Sequence, residues 1–322
     1  MNGGDWGDLG SRSPGPAPRR GNPGGRSPGS ALKVLVTGGS GFLGAFVLRE
    51  AARRGHETVA LARSEAAAAA VTALGAKPLT GDLNDTLSLA DTFVRAGCDT
   101  LLNLASLGFG HAPAIIAAAE RAGISRTVFV STTAVTTTLP AESKLVRLAA
   151  EHQIRASALD WTILRPTMIY GDPGDRNLSR LLPLLRRAPV LPVPGGGHLQ
   201  QPVHAADVAD AVLAAVERPA AAGCTYDVAG PEPLTFAELL RVCARAVASR
   251  TRFVPVPLPP VVAAARGYEL LSRRPRIRVE QLRRLAEDKA FSIEDAVRDL
   301  GYAPRAFADG IRAEARAMGL AA

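Results

Sequence analysis

Between the apolar run Lys33-Val-Leu-Val-Thr37 and a stretch with Phe42, Leu43, Phe46 and Val47 at helical spacing, the chain reads Thr37-Gly-Gly-Ser-Gly-Phe-Leu-Gly44. Glycines thus stand at positions 38, 41 and 44, where a strand hands over to a helix. The spacing alone is weak; a buried strand before it and a helix after it make it specific, because an ordinary βα turn has no need of all three glycines. Gly38 permits the tight turn, Gly41 lets the backbone approach a diphosphate, and Gly44 lets helix and strand pack closely. Free amides and the positive end of the helix dipole then face the anion. The segment Thr37, Gly38, Gly39, Ser40, Gly41, Phe42, Leu43 and Gly44 is therefore expected to cradle a dinucleotide cofactor.

The end of the second strand selects the cofactor. An acid about 20 residues beyond the glycines binds a free ribose 2′-hydroxyl. Here Thr58-Val-Ala-Leu61 runs into Ala62-Arg63-Ser64, with no acid before Glu65. A guanidinium suits a 2′-phosphate, so Arg63 favours NADP(H) over NAD(H).

Strand and helix patterns alternate onward to Trp161-Thr-Ile-Leu-Arg165. That alternation implies an α/β fold, a Rossmann doubly wound parallel sheet. The rhythm breaks after Tyr170-Gly171: residues 171–202 are rich in Pro, Gly and Leu, with no strand expected before Pro202-Val203. Helix and strand return at 207–228, and the chain from Glu232 reads as mostly helical. The expected layout is a disordered tail at 1–30, made of Gly, Pro, Ser and Arg. A Rossmann domain follows at 31–170, continued by 203–230. A smaller, discontinuous, mostly helical substrate-binding cap comprises 171–202 and 231–322.

Composition narrows the function classes. Hydrophobic residues are 47% and charged residues 21%, an ordinary globular balance. The formal charge of +8 is scattered, without an aromatic-interleaved patch, so nucleic acid is not expected as a partner. The exception is the run Arg273–Arg278 with Arg283-Arg284, read as a solvated helix face or a contact for phosphate or anionic lipid. No apolar stretch reaches membrane-spanning length. Cys98, Cys224 and Cys243 form no paired motif, which fits a reduced cytoplasmic protein. The five histidines lack metal-binding spacing, so no metal is expected. A small-molecule substrate is the expected partner, and a homodimer is compatible with the sequence.

Further segments match one family. They are Gly81-Asp82-Leu83, Asn103-Leu-Ala-Ser106, Val130-Ser-Thr-Thr133, Ser143-Lys144 with Glu151, Leu164-Arg-Pro166, Tyr170-Gly171, Pro202-Val-His204, Asp207-Val-Ala209 and Asp299-Leu-Gly-Tyr-Ala-Pro304. With the glycine turn, these make residues 32–312 resemble the extended, atypical short-chain dehydrogenases/reductases of the NAD-dependent epimerase/dehydratase family. The resemblance implies that Asp82 holds the adenine amino group and Leu83 its ring, while Asn103, Leu104 and Ala105 line the cofactor channel. It also implies that Thr132 hydrogen-bonds the reacting substrate oxygen and that Lys144 holds the nicotinamide ribose. His204 and Asp207 read as structural, with Asp207 suited to cap a helix.

One position departs from the family. Its YxxxK motif here reads Pro140-Ala-Glu-Ser-Lys144, so the acid/base tyrosine is a proline. Proton transfer then falls to Lys144, to Tyr170, or to water and the substrate's own groups. Two functions remain open. One is an NAD(P)(H)-dependent oxidoreductase or epimerase acting on a small carbonyl or hydroxyl compound, with nucleotide-sugar metabolism as the candidate setting. The other is a non-catalytic NADP(H)-binding regulatory or assembly protein, like the respiratory complex I subunit that shares the fold.

Overall fold

The computed structural model describes residues 31–139, 141–175, 177–272 and 279–320. The tail expected at 1–30 and the Arg273–Arg278 run lie outside the described residues. From Ala31 onward the chain forms one compact unit.

The first half alternates strictly: β1 (Lys33–Thr37), α1 (Phe42–Arg53), β2 (Glu57–Ala62), α2 (Glu65–Thr72), β3 (Lys77–Thr80), α3 (Thr86–Ala96), β4 (Thr100–Asn103), α4 (Ala112–Arg121), β5 (Arg126–Val130), α5 (Glu142–Ala156) and β6 (Asp160–Pro166). Shorter pieces follow: β7 (Ile169–Tyr170), α6 (Leu178–Arg187), β8 (Val190–Pro194), β9 (Leu199–Gln200), β10 (Val203–His204), α7 (Ala205–Glu217) and β11 (Cys224–Val228). The remainder is β12 (Leu234–Thr235), α8 (Phe236–Ala246), β13 (Arg252–Val256), α9 (Leu258–Leu271), α10 (Val279–Leu285), α11 (Glu294–Leu300) and α12 (Phe307–Ala317).

Seven strands form the central sheet in the order β11-β6-β5-β4-β1-β2-β3, every pair parallel. The inner strands of such a sheet are covered on both faces, which is why β1, β4 and β5 are almost wholly buried, whereas the edge strand β3 is largely exposed. In β1 the pleat sends Val34 and Val36 into one core and Leu35 into the other. The first core lies against α1 and α7, the second against α3, α4 and α5. Alanines through α7 keep its side chains small, and it packs closely on α1. A third core gathers Tyr170, Leu178, Leu182, Leu239, Cys243, Phe307 and Ile311, joining α6, α8 and α12.

Two local expectations are corrected. The 171–202 stretch does contain strands, β8 and β9, and the part after Glu232 contributes β12 and β13 as their partners. Val190-Leu-Pro-Val-Pro194 carries two prolines, a pattern that demotes a strand in sequence but is tolerated in a two-stranded ribbon. Its partner lies about 60 residues further along, out of reach of any local pattern. The cap of α7 is His204, whose Nδ1 accepts from the Ala206 amide at 3.1 Å. Asp207 sits within the first turn and pairs with Arg305 at 2.8 Å.

Candidate active site

β1 lies between β2 and β4, so the chain winds away from it in both directions. Ligands of open α/β sheets bind at such a reversal, outside the carboxyl ends of the strands. The glycine turn occupies that place. Gly38 has φ +73°, and a Cβ on it would lie 2.8 Å from the Ala105 amide nitrogen. A Cβ on Gly44 would collide with the Gly38 and Gly39 carbonyl oxygens. The cradle is thus built from backbone alone. α2 and α3 are capped by Ser64 and Asp85 side chains, whereas α1 starts at Gly41 with no side-chain cap and no acid in its first turn. Its leading amides fit a diphosphate.

Thr37 Oγ1 donates to Asn103 Oδ1 at 2.6 Å, and Asn103 Nδ2 donates to the Ala105 carbonyl at 3.1 Å. The Leu104 amide donates to the Thr37 carbonyl at 3.0 Å. These bonds bring Thr37, Gly38, Asn103, Leu104 and Ala105 together at the reversal. Arg63 is exposed immediately beyond β2. Asp82 follows β3, its Oδ1 accepting from the Asn84 amide and side chain, each at 2.9 Å. Those bonds, with the nearby positive charge of Arg63, hold the Asp82 carboxyl below the usual range. Leu83 is half-buried against the second core. Adenine-side candidates therefore cluster at the ends of β2 and β3, and ribose-side candidates at β1 and β4.

The chemistry candidates lie further along the same edge. A cleft of about 610 Å³ opens beyond β5 and β6. One wall is the 132–138 turn with Thr167 and Met168; the opposite wall is the segment 284–291, and Asn177 and Gln200 complete it. Thr132 is half-buried in this lining, its Oγ1 accepting from the Ala134 amide at 3.2 Å while its O–H remains a donor. Lys144 Nζ donates to the Thr137 carbonyl behind the turn. Pro140 lies outside the described residues.

Tyr170 stands apart from Thr132. It is 1% exposed, edge-on to His204 and Phe307, with its hydroxyl 3.5 Å from the Phe307 carbonyl in the third core. Burial, with Asp207 adding to it, pushes its phenol up, so it holds its proton tightly. Glu151 braces the site from below. It accepts from Ser131 Oγ at 2.7 Å, Arg165 Nε at 3.0 Å and Arg155 Nη2 at 2.9 Å. Burial would raise its carboxyl, but the Arg165 and Ser131 hydrogen bonds outweigh burial and hold it low.

Sequence reasoning missed the wall at 284–291. Glu287 accepts from the Thr138 amide at 2.8 Å, from Thr138 Oγ1 at 2.6 Å, and from Thr137 Oγ1. Asp288 Oδ1 accepts from the Leu199 amide at 2.8 Å and lies 3.2 Å from His198 Nδ1. Lys289 donates through its amide to the Leu199 carbonyl at 2.9 Å, and through Nζ to the Arg284 carbonyl at 2.8 Å and Gln200 Oε1 at 3.3 Å. No local spacing signals contacts across 150 residues.

No described helix is long and apolar enough to cross a membrane. The sequence profile of the NAD(P)H-binding family matches residues 38–219. A 4-hydroxy-2-methyl-3-oxo-4-farnesyl-3,4-dihydroquinoline-1-oxide ketoreductase of Stigmatella aurantiaca is 30% identical, over 85% of this chain and 92% of its own. A 2-alkyl-3-oxoalkanoate reductase of Stenotrophomonas maltophilia is also 30% identical, over 87% of this chain and 98% of its own. Mitochondrial NADH dehydrogenase [ubiquinone] 1 alpha subcomplex subunit 9 of Arabidopsis thaliana is 28% identical, over 80% of this chain and 68% of its own. Strand order, glycine cradle and these matches agree: the chain belongs to the NAD(P)H-binding family as an extended short-chain dehydrogenase/reductase, an NAD(P)-dependent oxidoreductase.

Proposed function

We propose that this chain is an NADPH-dependent reductase of a ketone carried on an apolar substrate. The observation that carries the reading is the cleft beyond β5 and β6, with Thr132 in its wall and Ala134, Met168, Ala286 and Phe291 as apolar lining. The cleft's charged groups are Arg284 and Lys289 against Glu287 and Asp288. Such a balanced set leaves no surplus positive charge for the diphosphate of a sugar nucleotide, which makes that substrate the weaker candidate. The two reductases of similar sequence are named for oxo compounds bearing farnesyl or alkyl chains, in line with an apolar cleft.

When bound, the nicotinamide supplies the hydride. The amides of Gly39, Ser40, Phe42 and Leu43 would hold the diphosphate, the Gly41 amide being bonded to the Gly38 carbonyl, while Asp82 and Leu83 would hold the adenine and Asn103, Leu104 and Ala105 would form the channel wall. Arg63, free of a carboxylate at the strand end before it, selects the 2′-phosphate. Thr132 donates its hydroxyl proton to a hydrogen bond on the carbonyl oxygen, where negative charge develops during reduction. Lys144 orients the ribose. The third core, with α6, α8 and α12, frames the substrate side as the cap. Three free cysteines, two of them buried, suit a reducing compartment such as the cytoplasm.

The second reading, a coenzyme-binding assembly subunit without turnover, is favoured by Pro140 and by the similarity to a subunit of NADH dehydrogenase. Turnover decides between them. Purified full-length protein is expected to oxidise NADPH with a panel of long-chain ketones, and Lys144→Ala to lower that rate at least about tenfold. Tight NADPH binding with no turnover across the panel establishes the subunit instead. Arg63→Asp is expected to weaken NADPH binding by about 1–3 kcal/mol and leave NADH nearly unchanged. Equal effects on both coenzymes in calorimetry remove Arg63 as the selector.

A further inference from the structure

Position 140 holds no phenol, and the Tyr170 hydroxyl points into the third core against Phe307. A ketone bound beside Thr132 still needs a proton when its carbonyl carbon gains a hydride. The cleft's lining offers four charged side chains. Glu287 and Asp288 are ionised acceptors: Thr137 and Thr138 surround the first, and the Leu199 amide and His198 the second. Arg284 keeps its proton at any working pH. Lys289 remains.

Building on the reductase reading above, we infer that Lys289 is the proton donor to the substrate's carbonyl oxygen, taking the place of the missing tyrosine. Its ammonium has three N–H groups. The Arg284 carbonyl at 2.8 Å and Gln200 Oε1 at 3.3 Å take two, and the backbone bond to Leu199 fixes the residue against β9. The third N–H has no hydrogen-bond partner among the described residues, and Lys289 lines the cleft. Burial lowers the Lys289 pKa; Glu287 pulls it back up and Arg284 pushes it down again, with the lowering dominant. A buried ammonium beside a guanidinium gives up its proton more readily than an exposed one. Lys144 serves differently, its ammonium being turned to the Thr137 carbonyl. In the step, the carbonyl carbon accepts the hydride, its oxygen takes the proton from Lys289 Nζ, and the resulting neutral amine is reprotonated from water.

The chain has four lysines, Lys33, Lys77, Lys144 and Lys289. Reductive methylation with 13C-formaldehyde therefore gives a spectrum simple enough to assign by single substitutions. In the full chain without coenzyme, the resonance missing from Lys289→Met is expected to titrate at lower pH than those of Lys33 and Lys77. In turnover, Lys289→Met is expected to lower kcat by about 100-fold or more, with KM and NADPH affinity within about twofold of the parent. The fall of kcat at alkaline pH, where the donor is deprotonated, should vanish from its profile. Lys289→Arg, which keeps the charge, should not restore the rate. Rescue by arginine, or a rise in KM with an unchanged pH profile, makes Lys289 an electrostatic anchor and overturns the proposal. Co-titration with Lys33 and Lys77 overturns it too. A parent protein that binds NADPH but reduces no ketone overturns the reductase reading and this inference together, whereas Lys289→Met reducing ketones at the parent rate overturns this inference alone. A Lys289→Gln variant with the parent's melting temperature guards against a folding defect.

Discussion

At the scale of single residues, the coenzyme cradle depends on atoms that are missing. Gly44 has the Gly38 and Gly39 carbonyls where a Cβ would stand, and the Gly39 carbonyl carbon would be 2.6 Å from it. Backbone cannot move aside as a flexible side chain can. Gly44→Ala is therefore expected to destabilise the fold by about 1–3 kcal/mol and to weaken NADPH binding at least about tenfold, read by thermal melting and calorimetry. Equal melting temperatures would show that the turn relaxes freely. This position was legible because its constraint is local, a strand, a turn and a helix within twelve residues. Lys289 was not legible: it resembles any surface lysine until β9 and the 132–138 turn are placed around it. Asn103 falls between these cases. Its side chain looked like one channel residue among several, and only the fold shows it tying β1 to β4 through Thr37.

At the scale of elements, α7 is started by a histidine that must stay neutral. His204 Nδ1 accepts the Ala206 amide, which an imidazolium cannot do. Burial, with Arg305 adding to it, lowers His204 to about 4. The unfolded chain binds that proton first, near pH 6.5, so this contribution is fully present above 6.5 and is lost as pH falls toward 4. The loss amounts to about 3 kcal/mol at most. His204→Asn keeps a capping side chain and removes the titration. Urea unfolding at pH 7 and pH 4.5 is expected to show a smaller acid loss in the variant; identical losses would place the titration elsewhere. The inner strands of the main sheet were legible as apolar runs, and the edge strands β3 and β11 from the alternating rhythm around them. β8 and β13 were not, because prolines interrupt both and their pairing joins distant segments.

At the scale of the whole molecule, two buried groups oppose each other across the pH range. Glu314 in α12 is fully buried, and burial together with the neighbouring Asp175 pushes its carboxyl up to about 9. A raised acid works in the sense opposite to His204. Its contribution is present below the unfolded value near 4.5 and is lost as pH rises toward 9. Glu314→Gln keeps the shape of the protonated acid and is expected to stabilise the protein at pH 8, by up to about 5 kcal/mol, with the gain fading toward pH 4.5. Unfolding curves that coincide at both pH values would rule this out. The parallel sheet was readable from the rhythm of the chain, and the glycine turn from its spacing. The third core was not, because α6, α8 and α12 meet across more than 100 residues.

The two walls of the cleft are made at very different times. Residues 132–138 leave the ribosome about 150 residues ahead of 284–291. A nascent polypeptide thus carries the glycine turn and β1 to β5 well before the second wall of the cleft exists, a wall that is in place once Glu287 closes onto Thr137 and Thr138.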